Sequence, residues 1–128
     1  MSTSGVMRLS EANGFGTIPP GMAGDIYSNK AIGERLEITR RSLGIGQEVM
    51  AERLEPFLPK GEVMSGQKWN NYARGRDRIP VEIAIAVCVV AGVNLDYIYR
   101  NEWGSLPPDV ANRLHKAMTS PVRRFRRP

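Results

Sequence analysis

Between Pro80 and Gly92, the segment Val81 to Ala91 carries a single charge, Glu82, and otherwise only alanine, valine, isoleucine and cysteine. A stretch this apolar has to be covered by the rest of the chain. Its β-branched content permits a buried strand. Pro80 at the first position, Glu82 in the first turn and Gly92 just past the end favour a buried helix.

The neighbouring segments are built to surround a helix. Asn29 is a candidate cap for a helix over 30–43, in which Ile32, Leu36, Thr39 and Leu43 recur near the 3.6 period and Glu34, Arg35, Glu37 and Arg41 face out. Gly44 stops it, and the turn Gly44-Ile45-Gly46 leads to a helix from Gln47 to Leu54 with Val49, Met50 and Leu54 on its apolar face. Pro56, Pro59 and Gly61 forbid a regular helix over 55–64, where Phe57 or Leu58 is expected to pin an ordered loop to the core. Ser65 opens a helix to about Ala73, followed by a loop to Ile79. Asn94 caps a short helix holding Leu95, Tyr97, Ile98 and Tyr99, and a last helix from Pro108 to Met118 carries Val110, Leu114, Ala117 and Met118 on one stripe. The expected fold is all-α, a compact bundle of five to six helices. Residues 1–28 read as a weakly ordered arm with no function assigned, 29–118 as the domain, and 119–128 as a basic tail.

Charge is unevenly placed. The formal net charge is +5 over 128 residues. Lys68, Arg74, Arg76 and Arg78 against Asp77 make 65–80 basic, and Arg123, Arg124, Arg126 and Arg127 do the same for the tail, leaving the remainder slightly acidic. Two basic patches suit a polyanion-binding surface. One cysteine, Cys88, excludes an intrachain disulfide and fits a reducing compartment. A single histidine, His115, and the absence of a paired carboxylate cluster leave no convincing catalytic set, so neither an enzyme nor a cofactor is expected. Asp77 and Asp96 read as loop and helix-cap residues. With no run of about 18 apolar residues and no apolar signal core, a cytoplasmic, nucleoid-associated location and no membrane contact are expected.

The stretch most informative about function is Ser65 to Pro80. As a helix it puts Trp69 and Tyr72 on one face and Gln67, Lys68, Asn70, Asn71 and Arg74 on the other. Adjacent asparagines are poor helix formers, because their amides compete for the backbone. Between two aromatic anchors they point to a use outside the helix. Gln and Asn amides read adenine edges, while Lys and Arg read guanine or hold phosphate.

At this point the chain resembles the phage repressor and Cro-type (xenobiotic-response-element-like) helix-turn-helix family. The resemblance covers about residues 30–118. It is carried by Gly44-Ile45-Gly46-Gln47, Met50-Ala51-Glu52-Arg53-Leu54, Trp69-Asn70-Asn71-Tyr72-Ala73-Arg74-Gly75, Ile79-Pro80 and Gly92-Val93-Asn94-Leu95-Asp96-Tyr97-Ile98-Tyr99. Each motif is short, but all occur in family order. The resemblance implies a lambda-repressor-like fold and a bacterial or phage transcription regulator, a repressor, that reads double-stranded DNA through the major groove. Gln67, Lys68, Asn71 and Asn70 would contact bases. Gln47, Arg40, Arg74, Arg76, Arg78 and Ser65 would contact phosphate, with Gln47 also buttressing the reading helix. Trp69, Tyr72, Ile83, Val87, Leu95 and Ile98 match core positions.

Three departures from the family pattern set further expectations. Residues 55–64 look like an insertion. Ala73 stands where relatives often carry the glutamate partner of the first-helix arginine, so Arg40 is expected to reach phosphate more freely. Gly66 stands where a base-reading side chain often sits, which weakens readout there. The competing reading is an antitoxin-like or other protein-interaction module on the same fold, with a partner on the last helix or the tail. A DNA binder should gather Arg40, Lys68, Arg74, Arg76 and Arg78 on one face, whereas a partner-binding module should expose an apolar patch of several hundred Å². Because one helix contacts too few base pairs, a symmetric homodimer is expected through the two helices after Gly92. The alternative is that the last helix packs back to finish the core.

Overall fold

A computed structural model of the chain describes residues 26–120. The expected arm and basic tail lie outside the described residues, apart from 26–28 and 119–120. The described residues form six α-helices and contain no strand: α1 (Asn29–Leu43), α2 (Gln47–Leu54), α3 (Gly66–Ala73), α4 (Val81–Ala91), α5 (Leu95–Arg100) and α6 (Pro108–Thr119). The choice between strand and helix over 81–91 falls to the helix, flanked by Pro80 and Gly92 as its end signals require.

Local chemistry sets the boundaries. Ser28, not Asn29, caps α1 by accepting from the Ala31 N–H at 3.0 Å, and Asn29 becomes the first helical residue. Ser65 caps α3 through the Lys68 N–H, and Asn94 caps α5 through the Tyr97 N–H. Over 55–64 a single 3₁₀ turn, Glu55–Phe57, follows α2, and the chain then runs without helix to Ser65. Phe57 is exposed, so the tether is Leu58, which packs against the core, together with buried Met64. Glu55 reaches across the loop to accept from the Met64 N–H at 3.1 Å.

One core runs through all six helices. α1 contributes Ile32 and Leu36, α2 Met50, Ala51 and Leu54, α3 Trp69 and Tyr72, and α4 Ile83, Ala84, Ala86, Val87 and Ala91. Tyr97, Ile98, Val110 and Leu114 close it from α5 and α6. Tyr97 meets Trp103 edge to face at 5.2 Å between ring centroids, an arrangement worth about 0.5–1.5 kcal/mol beyond the area it buries.

Two glycines let α1 cross the end of α3 closely. A Cβ on Gly33 would lie 2.4 Å from the Ala73 carbonyl oxygen and 2.5 Å from that of Tyr72. From the other side, Gly75 sits at φ +79, and a Cβ there would lie 2.7 Å from Lys30 Cα. The seat of α3 is therefore set backbone to backbone, which leaves little play in how the helix is held.

Arginines close the helix ends. Arg35, 7% exposed, donates from Nε to the Ile98 carbonyl at 2.9 Å and from Nη2 to the Ile26 carbonyl at 2.7 Å. Arg41 donates to the Ala117 carbonyl at 2.9 Å, while Arg113 donates to Ser42 Oγ at 3.2 Å and to the Ala91 carbonyl. These bonds hold α6 against α1 and the end of α4. The last helix thus packs back: Leu114 is fully buried, Val110 nearly so, and Tyr97 is sealed in the core. The apolar surface expected to make a two-fold contact after Gly92 is mostly spent inside the protomer, because the α6 stripe covers α1 instead. No helix among the described residues is long and apolar enough to cross a membrane.

Candidate nucleic-acid interface

The aromatic face of α3 is the fixed one. Trp69 is fully buried, and its indole Nε1 points to Glu37 Oε1 on α1 at 3.4 Å. Tyr72 is 7% exposed, and burial holds its phenol above the usual tyrosine pKa. With those two rings anchored, helical geometry turns Gln67, Asn70, Asn71 and Arg74 away from the core. Gln67 and Arg74 are exposed, and the two asparagines are half-buried at the rim.

These polar side chains form a connected set. Gln67 Nε2 donates to Asn71 Oδ1 at 3.2 Å, and Arg76 Nη1 donates to the same oxygen at 3.1 Å. One turn away, Asn70 Oδ1 accepts from Gln47 Nε2 on α2 at 3.1 Å and from Arg74 Nε at 3.3 Å. Each asparagine oxygen is thus shared between an amide and a guanidinium. The loop after α3 is folded back in the same way, with the Arg76 N–H on the Asn71 carbonyl at 2.9 Å. The helix-disfavouring pair Asn70-Asn71 therefore organises the polar face and the start of the following loop. Gln47 ties α2 to α3 through this bond.

The remaining expected site residues divide. Ser65 is exposed at the start of α3, where its hydroxyl serves as the cap. Lys68 is held by the inserted loop: Nζ lies 2.9 Å from Glu62 Oε2 and donates to the Val63 carbonyl at 2.9 Å. Arg78 is exposed but donates to the Tyr27 carbonyl at 2.9 Å, which ties it to the approach to α1. Arg40 departs from expectation outright. It is 7% exposed, ion-paired to Glu37 and donating to the Ile45 carbonyl at 2.6 Å. Lacking a glutamate at position 73, it takes its partner from its own helix three residues back and turns inward. Gly66 is buried beneath the Glu48 carboxylate, so the first residue of α3 offers no outward reading position.

Three contributors escaped sequence reasoning. Glu62 and Glu48 lie outside α3 in sequence, and only the folding of the insertion and of α2 brings their carboxylates to its first turn. Glu37, expected to face out, instead bridges Arg40 and Trp69. A carboxylate beside the N-terminal turn also complements the helix dipole there.

Of the five basic residues expected on one face, Arg40 is buried and Arg78 is turned to the Tyr27 carbonyl. Lys68, Arg74 and Arg76 cluster around α3, while Val81, Ile85 and Val89 leave an exposed apolar ridge on α4. No group of three or more His, Cys, Asp or Glu side chains suited to a metal occurs among the described residues. No protein-family model, curated protein or solved structure matches the chain.

Proposed function

We propose that the chain is a sequence-specific double-stranded DNA-binding transcriptional regulator, a repressor of helix-turn-helix type, that lays α3 in the major groove. The observation that carries this reading is the network on the outer side of α3. Gln67, Asn70 and Asn71 amides are linked to Arg74 and Arg76, while Trp69 and Tyr72 lock the inner side. With the Asn71 oxygen engaged by Gln67 and Arg76, its amide NH₂ is the group left to donate to a base acceptor. Gln67 and Asn71 discriminate bases, with Asn70 at the rim, and Arg74, Arg76, Ser65 and the Gln47 end of α2 engage phosphate.

Lys68 joins them by exchanging Glu62 for DNA. The pair is one-third to two-fifths exposed, and such a surface ion pair contributes at most about 1 kcal/mol, so the exchange costs little. Arg40 has no part in phosphate binding, because it is buried and paired. The α4 ridge favours a second reading, a protein-interaction module of antitoxin type on the same scaffold.

Selection from a pool of random duplexes at stepped salt distinguishes the two. DNA reading predicts a short enriched motif and an affinity that falls linearly with salt on logarithmic axes. Absence of enrichment at low salt would leave the interaction module standing.

A further inference from the structure

An amide side chain is two-sided: its oxygen accepts, its NH₂ donates, and an unconstrained asparagine turns whichever end suits its neighbour. On α3 arginine removes that choice. A guanidinium can only donate, so the atom it meets must be an oxygen. Arg76 Nη1 meets Asn71 Oδ1 at 3.1 Å, and Arg74 Nε meets Asn70 Oδ1 at 3.3 Å. Each oxygen then takes a second donor, Gln67 Nε2 on Asn71 at 3.2 Å and Gln47 Nε2 on Asn70 at 3.1 Å. A carbonyl oxygen has two lone pairs, and in both asparagines both are occupied. Neither NH₂ has an acceptor among the described residues.

We propose that Asn71 reads guanine, its amide locked as a donor by Arg76 and Gln67. The proposal deepens the DNA-binding reading above and rests on it. Asparagine ordinarily selects adenine, donating to N7 and accepting from the N6 amine. Asn71 can donate but not accept, so against adenine the amine would be desolvated without a partner. Cytosine shows only its N4 amine in the major groove and is refused for the same reason. Thymine offers one acceptor, O4. Guanine offers two adjacent acceptors, N7 and O6, and no donor, which matches the two N–H groups of Asn71.

Asn71 carries this role rather than Asn70. It lies one turn beyond exposed Gln67, on the outward side of α3. Asn70 is tied to α2 by Gln47 and leaves its NH₂ at the rim, where a phosphate oxygen is a fitting acceptor.

Arg76 is then a positioning residue for base choice as well as a phosphate contact. Its guanidinium has five N–H groups, so one can stay on Asn71 while others hold phosphate, and DNA binding leaves the lock closed. Without Arg76, Asn71 and Gln67 can turn over together. Their mutual bond survives, but Asn71 then presents its oxygen outward, and adenine becomes acceptable.

The test uses the full chain and the duplex motif that it selects. The base pair read by Asn71 is the one at which Asn71→Ala loses preference. That base should be guanine, preferred over adenine by roughly tenfold or more. Replacing it with hypoxanthine, which keeps O6 and N7, should leave affinity within about twofold, whereas 7-deazaguanine, which lacks N7, should lose about fivefold or more. Arg76→Ala, at an exposed loop position, should lower the salt slope by about one unit and also shrink the guanine-over-adenine ratio at that base pair alone to about threefold or less. A purely structural or phosphate-binding Arg76 would weaken all duplexes alike and leave that ratio intact, which overturns the lock. Adenine, cytosine or thymine as the preferred base, or no change of preference in Asn71→Ala, overturns guanine reading while the DNA-binding reading stands. Failure to bind any duplex at low salt overturns both.

Discussion

Gly33→Ala gives the sharpest test of how α3 is held. In an ordinary helix interior this change stabilises by roughly 0.5–1 kcal/mol, because alanine loses less backbone entropy. Here the new methyl would sit 2.4 Å and 2.5 Å from two carbonyl oxygens of α3, an overlap of about 1 Å with backbone that has no rotamer to change. Relief requires α1 and α3 to move apart. Overpacking of this kind costs typically 1–3 kcal/mol or more, which outweighs the propensity gain. The expected net loss is about 2 kcal/mol, or a fall in Tm of roughly 8–16 °C for a domain of this size. Thermal and urea unfolding of the full chain by circular dichroism read it, with a lower urea midpoint at unchanged slope. Gly104→Ala is the control: a Cβ there meets nothing within 4 Å, and its stability should stay within about 0.5 kcal/mol. A Gly33→Ala protein as stable as wild type, or more so, would refute the close crossing.

Glu62→Gln should leave Tm nearly unchanged, since its pair with Lys68 is surface-exposed, yet tighten binding to duplexes of any sequence by freeing Lys68; a retention assay at two salt concentrations reads this, and unchanged binding would count against it. Arg35→Met keeps the buried stem but removes the donor to the Ile98 and Ile26 carbonyls, so unfolding by urea should show a loss of about 1–3 kcal/mol; a loss under about 0.5 kcal/mol would show that those carbonyls find other donors. Burial pushes the Cys88 thiol up to about 11, so maleimide labelling of the folded protein should remain slow well past the usual thiol pKa of 9. Because the folded state holds that proton more tightly than the unfolded one, the contribution to stability is complete below pH 9 and is lost as pH rises toward 11, which unfolding midpoints across that range would show.

Helix ends were legible because they are written locally. Gly44, Ser65, Pro80, Gly92 and Asn94 each mark a boundary by chemistry confined to one turn, and the cap of α1 was displaced by one residue only because Ser28 and Asn29 are both good caps. The buried and outward faces of α3 were legible for the same reason. Contacts between distant segments were not. Nothing local marks Gly33 as a crossing point, or joins Glu62 to Lys68 across the turn of the insertion. Arg40 was misjudged because its expected partner was sought at position 73, whereas Glu37 lay one turn away on the same helix. The exposed side of α4 was hidden by composition. When every face of a helix is apolar, periodicity cannot say which one meets solvent. On the last helix the stripe divides, with Val110 and Leu114 taken into the core and Met118 left exposed.

Base reading by α3 is tested most directly by the ratio of affinities for the selected duplex and a random one, measured across a salt series for wild type, Asn71→Ala and Arg74→Ala. Asn71→Ala should lose about 1–3 kcal/mol of discrimination, confined to one base pair. Arg74→Ala should weaken both duplexes alike and reduce the salt slope by about one unit. If Asn71→Ala instead weakened both duplexes equally and left the ratio intact, α3 would not be the reader.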